Sequence, residues 1–303
     1  MIQVLLLFWI ASALLIIREP RFIRMIIYLS VFSLISSLCF IFFAAPDVAL
    51  AEAVISVFST IIYIISFEKY YSRSDQAAAE EKTWHIKSHV FSLIFTVFLF
   101  ILFIWVFPHS TANSYLKERY LSGFSQDVGG RNAVTAIYLG YRLYDTLFET
   151  LILLVSITAI IHLSWYKDAE VPEEKNNQRS PITVYTIRII CPILIVAGFY
   201  LTTNGHLSPG GGFQGGVIAA SFFIGRHLIY DINDIPIGKV ITLEKIFYTG
   251  IILLAVFFIS PIVDVHLPRF RIVYLVSMNL LIGMKVTCGF LIIFYRFIAF
   301  ERR

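Results

Sequence analysis

Continuous apolar runs of about twenty residues recur along this chain, and each is long enough to cross the hydrocarbon core of a bilayer as a helix. Nine are predicted, at roughly 1–17, 24–44, 48–67, 87–107, 143–165, 182–203, 213–230, 241–260 and 272–298. The runs show no ten-residue alternation of apolar and polar residues, so helices are expected and not a β-barrel. Composition points the same way. Of the 303 residues 58% are hydrophobic and 15% charged, whereas soluble domains carry about 25% charged residues. The mean hydropathy is +0.80. Lipid must solvate much of this surface, and the expected fold is an all-α integral membrane protein, a polytopic bundle of about nine transmembrane helices. The apolar stretch after Met1 has no basic n-region and no small-residue cleavage site, so it reads as a first span. Cys39, Cys191 and Cys288 are far apart in apolar surroundings without metal-ligand spacing, and read as small buried hydrophobes.

Basic residues give the chain a direction. Arg18, Arg21 and Arg24 follow the first run, and Lys69, Arg73, Lys82 and Lys87 follow the third. Lys167, Lys175 and Arg179 follow the fifth, Arg226 and Lys239 the seventh, and Arg302 and Arg303 end the sequence. The alternate connections are poorer: 44–47 and 204–212 hold no Lys or Arg, Arg269 and Arg271 precede the ninth run, and only 111–135 competes, with Lys117, Arg119 and Arg131. The positive-inside rule puts the N-terminus outside and the C-terminus in the cytoplasm of a cell (inner) membrane protein. Polar, charge-mixed stretches near 72–87 and 167–180 read as linkers that cut the chain into three segments.

Ionisable side chains inside apolar runs are costly in lipid and need a partner or a hydrated path. Asp47 follows Pro46 at a helix start, where it either caps the helix or serves an ion path. Glu52 lies deeper among Ala, Val and Ile, beyond the reach of capping. Asp145 and Glu149 are spaced i, i+4 on one helix face, and Arg142 is close enough to pair with Asp145. Lys285 stands near the middle of the last run. It and the glutamates of the third and fifth runs form either a structural lock or a proton relay. Between the sixth and seventh runs lies Asn204-Gly205-His206-Leu207-Ser208-Pro209-Gly210-Gly211-Gly212-Phe213-Gln214-Gly215-Gly216. Without a preceding strand or a Lys-Ser/Thr pair it is no phosphate loop. Its glycines suit tight turning, close helix approach and carbonyls facing a hydrated cavity. His206 is placed to relay protons or is merely interfacial.

These motifs resemble a known group of membrane proteins. The stretch from Thr202 to Gly216, together with Asn279-Leu280-Leu281-Ile282-Gly283-Met284-Lys285-Val286, resembles the MnhB family, one of the small membrane components of Mrp-type sodium/proton antiporters. Ala45-Pro46-Asp47-Val48-Ala49-Leu50-Ala51-Glu52-Ala53 is similar to the MbhD-like part of membrane-bound hydrogenases and of the largest Mrp antiporter component. Gly129-Gly130-Arg131-Asn132-Ala133-Val134-Thr135 and Arg142 to Glu149 resemble the MbhE-like part. The resemblance implies three units: 1–75 (MbhD-like, three helices), 82–168 (MbhE-like, two helices and a long external loop) and 181–303 (MnhB-like, four helices). It departs from the family at Ala51 and Phe148, which reduce polar or empty volume beside the two glutamates.

What the resemblance implies is an ion-translocating, non-catalytic subunit of an Mrp-like sodium/proton antiporter module. That module stands either alone or within a redox-driven, hydrogenase-type respiratory complex; a purely structural scaffold is the alternative. Asp47, Glu52, Asp145, Glu149, His206 and Lys285 would border an ion path, with Pro209, Gly210, Gly211, Gly212, Gly215 and Gly216 as a structural loop. Na+ and H+ would be transported ions, with no cofactor or metal in this chain. Expected partners are other Mrp-like membrane subunits, hydrogenase-type redox subunits and the lipid bilayer, not nucleic acid. No repeat symmetry suggests a self-sufficient carrier, and no HExxH, CxxC or Ser/His/Asp pattern suggests a membrane enzyme.

Overall fold

The computed structural model describes residues 2–70, 86–106, 114–163, 181–230, 236–260 and 268–299. The linker readings at 72–85 and 167–180 fall outside the described residues. Within them the chain is helical throughout. The long helices are α1 (Ile2–Arg18), α2 (Phe22–Phe42), α3 (Pro46–Tyr70) and α4 (Ile86–Val106). After α5 (Ser114–Asp127) and the short α6 (Ala133–Ala136) comes a π-turn (Ile137–Tyr141) that leads into α7 (Leu143–Leu163). The last four are α8 (Pro181–Asn204), α9 (Gly212–Tyr230), α10 (Ile237–Ile259) and α11 (Pro268–Ala299).

Six of these helices are long and apolar enough to cross a membrane, and α1 and the 92–105 part of α4 are shorter apolar helices. The nine expected runs therefore all appear as helices, but not all meet the length and hydropathy of a span. The most informative exception is α9. It packs against α8, α11 and α3, and Val217, Ala220 and Ile224 are buried in those contacts. A helix surrounded by protein has no need of an apolar surface for lipid, and α9 carries glycine at its contact positions instead. Added Cβ atoms at Gly215 and Gly216 would lie 2.6 Å from the Gly198 and Gly283 carbonyl oxygens, so only glycine allows this approach. Thr287 Oγ1 uses the proximity to donate to Gly216 O at 3.0 Å.

The core continues through α11, whose Leu275, Met278, Ile282, Val286 and Phe294 are buried against α9, α10 and the π-turn region. Phe58 of α3 meets Phe290 edge-on, with ring centroids 4.3 Å apart. This contact ties the N-terminal helices to the C-terminal four. The expected long external loop is largely ordered as helix: α5 occupies its middle, and Tyr120 stacks on Tyr141 of the π-turn. Its Ser, Lys, Glu and Arg content gives it the polarity of a loop, because a short helix that is not a span needs no apolar run.

Candidate functional site

The start of α3, the turn before α6 and the Gly-rich connection between α8 and α9 meet at one end of the bundle. Asp47 is their common point. Its helix begins after a tight reversal at Ala44, which adopts a left-handed φ of 56°, and the buried carboxylate faces across the interface instead of capping its own helix. Asp47 Oδ1 accepts from Asn132 Nδ2 and from the Gly210 amide, both at 3.0 Å. Asn132 Nδ2 also lies 3.1 Å from the carbonyl oxygens of Gly205 and Ser208. Its Oδ1 caps α6 by accepting from the Val134 amide. One amide side chain thus joins three regions that are remote in sequence.

His206 takes part mostly through its backbone. Its carbonyl accepts from the Arg131 and Asn132 amides at 2.7 and 3.1 Å. Gly130 has a φ of +83°, and an added Cβ would come 2.8 Å from that same carbonyl. The ring is buried, with Nδ1 3.1 Å from Thr203 O. A carbonyl cannot donate, so Nδ1 carries the hydrogen. Thr135 donates to Gly205 O at 2.7 Å. The expectation that the loop carbonyls face a hydrated cavity is corrected at Gly205, His206 and Ser208, where protein donors take them up.

One layer deeper, Asn279 of α11 accepts at Oδ1 from Tyr138 Oη (2.8 Å) and the Gly212 amide (3.1 Å). Tyr138 precedes the α7 span, and burial pushes its phenol up to about 12, so it remains a neutral donor. The carbonyls freed by the π-turn are also satisfied: Leu139 O by Tyr274, and Tyr138 O by Thr146.

The charged residues named from sequence separate into distinct environments. Glu52 is half-buried, and its Oε1 accepts from Ser33 of α2. Asp145 pairs with Arg142 at 2.5 Å on an exposed surface, the two side chains being 51% and 63% exposed. Glu149, one turn further along α7, is exposed on the bundle surface. Neither Glu52 nor Glu149 has an ion-pair partner within 4 Å among the described residues. Lys285 does. Its Nζ lies 2.7 Å from Oε1 of Glu244 on α10, with side chains 0% and 1% exposed, and the Tyr248 ring is 5.4 Å away. The expectation that Lys285 and the glutamates of the third and fifth runs form one group is corrected here, because α10 stands beside Lys285 and supplies the acid. Glu244 escapes a reading of the sequence because it sits near a helix start beside Lys239 and Lys245, where a carboxylate looks interfacial. The signal that would have found it is Lys285 itself, which requires a counter-charge. Asn132 and the α2 serines escape as well, since neutral polar residues leave little trace in a hydropathy profile.

Residues 182–292 match the family model described as a domain related to the MnhB subunit of Na+/H+ antiporter, and residues 7–71 match the MbhD model, which describes a component of MBH. The chain is 31% identical over 166 residues to proteins named putative antiporter subunit mnhA2 from Staphylococcus aureus strains, among them JH9 and JH1. The alignment covers 55% of this chain and 20% of those relatives, so the chain spans a fifth of their length. Among solved structures it is similar to a chain in the Mrp complex from Dietzia sp. DQ12-45-1b, with a TM-score of 0.67 at 19% identity over 95% of this chain and 34% of that one. A chain of the archaeal membrane-bound sulfane sulfur reductase (MBS) gives a TM-score of 0.56 at 24% identity, covering 70% and 97% of the two chains. At these identities the likeness is one of fold. The protein is therefore a multi-pass membrane protein that is similar over residues 7–71 to the MbhD model and over residues 182–292 to the model of a domain related to the MnhB subunit of Na+/H+ antiporter.

Proposed function

We propose that this chain is a non-catalytic, ion-translocating membrane subunit of a multisubunit Mrp-type cation/proton antiporter module, or of a respiratory complex built around one. It crosses the inner membrane nine times, with the N-terminus outside and the C-terminus in the cytoplasm. The observation that carries the reading is the contrast among its intramembrane charges. Among the described residues Glu52 and Glu149 sit in apolar helices with no base within 4 Å, whereas Lys285 is paired with Glu244. An unneutralised carboxylate in a span requires water, a cation or a proton, and each of these is what a transport path offers. Glu52, Glu149 and His206 are assigned to that path. Asp47 and Lys285 are assigned to holding the helices in place, and Asp145 to an exposed local pair with Arg142.

The two matched segments and the MbhE-like middle fit a fusion of parts that lie side by side in a larger assembly. Partners are other Mrp-like membrane subunits, and hydrogenase-type redox subunits where the complex is redox-driven. Na+ and H+ are the proposed cargo. The test compares everted membranes holding the complex with wild-type chain, Glu52→Gln or Glu149→Gln, measuring complex yield and sodium-dependent proton flux together. Normal yield with lost flux supports the reading, and normal flux in both variants overturns it. Purified chain alone in liposomes should give no flux above empty vesicles. Single cysteines at Gln76 and Gln178, with native cysteines replaced, should label only after permeabilisation; labelling of intact cells at either overturns the orientation.

A further inference from the structure

The contact between α2 and α3 carries a run of side-chain hydroxyls through otherwise Ile-, Leu-, Phe- and Val-rich helices. On α3, Glu52, Ser56 and Thr60 are spaced i, i+4, i+8 and share one face. On α2, Ser37, Ser33 and Ser30 follow at intervals of four and three. The two rows meet in register. Ser37 Oγ donates to Ala49 O at 2.8 Å, Ser33 Oγ donates to Glu52, and Ser30 Oγ contacts Thr60 Oγ1 at 2.8 Å. From Ala49 to Thr60 this covers about 16 Å of helix axis, roughly half of the ~30 Å hydrocarbon core. Its outer end lies within one helical turn of Asp47.

The Ser30–Thr60 pair joins two such hydroxyls across the helix contact. Ser30 Oγ is 3.0 Å from Ile26 O, and Thr60 Oγ1 is 2.8 Å from Ser56 O. Each hydroxyl has one hydrogen. The pair therefore has two arrangements of equal connectivity. Either Ser30 donates to Thr60 while Thr60 donates to Ser56 O, or Thr60 donates to Ser30 while Ser30 donates to Ile26 O. A chain that conducts protons must reset between opposite polarities, and this pair has an acceptor ready for each.

We propose that the α2–α3 contact is a proton-conducting seam, in which Ser33 is the hydroxyl partner of Glu52 and the Ser30–Thr60 pair extends the path toward the cytoplasmic side. The proposal rests on the assignment of Glu52 to the ion path. A proton taken up from the outer end converts the Glu52 carboxylate to the neutral acid. It leaves through a water bridging the one turn, about 5 Å, between Ser33 and Ser30. As Ser30 takes up that proton it passes its own to Thr60, and Thr60 gives its own to water on the cytoplasmic side. Both hydroxyls then rotate back, with Ile26 O and Ser56 O serving only as resting acceptors. One proton enters for each that leaves. The seam suits a proton and not Na+, because the Ser30 and Thr60 oxygens touch directly and a metal ion would have to part them.

The test uses the whole complex in membranes, with proton and sodium flux each normalised to assembled complex. Thr60→Val keeps the shape and removes the hydroxyl, whereas Thr60→Ser keeps the hydroxyl. Ser33→Ala and Ser33→Thr make the second pair. Thr60→Val and Ser33→Ala should lower proton flux about tenfold or more with complex yield unchanged, while Thr60→Ser and Ser33→Thr should retain it. Ser36→Ala is the control, because Ser36 faces α1 and accepts from Trp9 Nε1; flux should stay normal. If Glu52→Gln abolishes flux but Thr60→Val and Ser33→Ala do not, the seam is refuted and the role of Glu52 stands. If Glu52→Gln leaves flux intact, that role fails and the seam with it. A loss of yield in Thr60→Val that matches its loss of flux makes the hydroxyls structural and refutes the seam, as does loss of sodium flux alone.

Discussion

Two of the helix contacts in this molecule hold a glutamate, and they do so in opposite ways. Between α10 and α11, Glu244 meets Lys285 at 2.7 Å with both side chains sealed from solvent. Between α2 and α3, Glu52 meets a serine hydroxyl and, among the described residues, no base. In the first, the two charges cancel and the desolvation cost is offset only while both partners are present. In the second, the carboxylate is held by a hydrogen bond from a neutral hydroxyl. An ion pair of the first kind locks two helices and is ill suited to movement. A hydroxyl-bound carboxylate binds its helices weakly and is free to exchange. The same residue type thus suits packing in one region and, in the role proposed for Glu52, transport in the other, and the partner decides which.

The comparison breaks first at the ion pair. Lys285→Met should strand a buried Glu244 charge and destabilise the fold by about 3–5 kcal/mol, seen as collapse of complex yield in detergent. Adding Glu244→Leu to Lys285→Met should restore much of that yield, since a neutral, well-packed pair needs no counter-charge. A double variant as poorly assembled as the single one would show that the pair has a role beyond neutralising itself. Glu52→Gln should behave the other way, with normal yield and flux reduced about tenfold or more.

Smaller effects come from the outer junction. Asp47→Ala removes the acceptor shared by Asn132 and Gly210 and should cost about 2–3 kcal/mol, read as a lower melting temperature of the purified complex. Gly130→Ala forces a side chain onto a left-handed backbone against the His206 carbonyl, for about 1–2 kcal/mol and a drop of a few degrees on the same melt. The smallest belongs to Asp145→Asn. Its pair with Arg142 is exposed, and such pairs contribute about 0–1 kcal/mol. Unchanged yield and flux are expected, and a large loss of either would place Asp145 with Glu52 and Glu149 on the ion path.

Sequence alone was enough for the helical fold, the approximate position of every long helix and the need for close packing in the Gly-rich region. These depend on local properties: hydropathy summed over twenty neighbours, and the room that a missing Cβ leaves. The reading of α5 as loop and the weak hydropathy of α9 mark its limits. A short helix that is not a span and one enclosed by other helices both escape the demand for an apolar surface. The site was legible as a set of charged residues but not as a set of partnerships. Lys285 finds Glu244 across 41 positions, Asp47 finds Asn132 across 85, and Asp47 reaches the Gly210 amide across 163. Ser33 reaches Glu52 only when α2 and α3 pack side by side. Whether a buried charge is cancelled, hydrogen-bonded or left open is set by which helix faces it. That is fixed by the packing of the whole bundle, because no property of a span on its own names its neighbour.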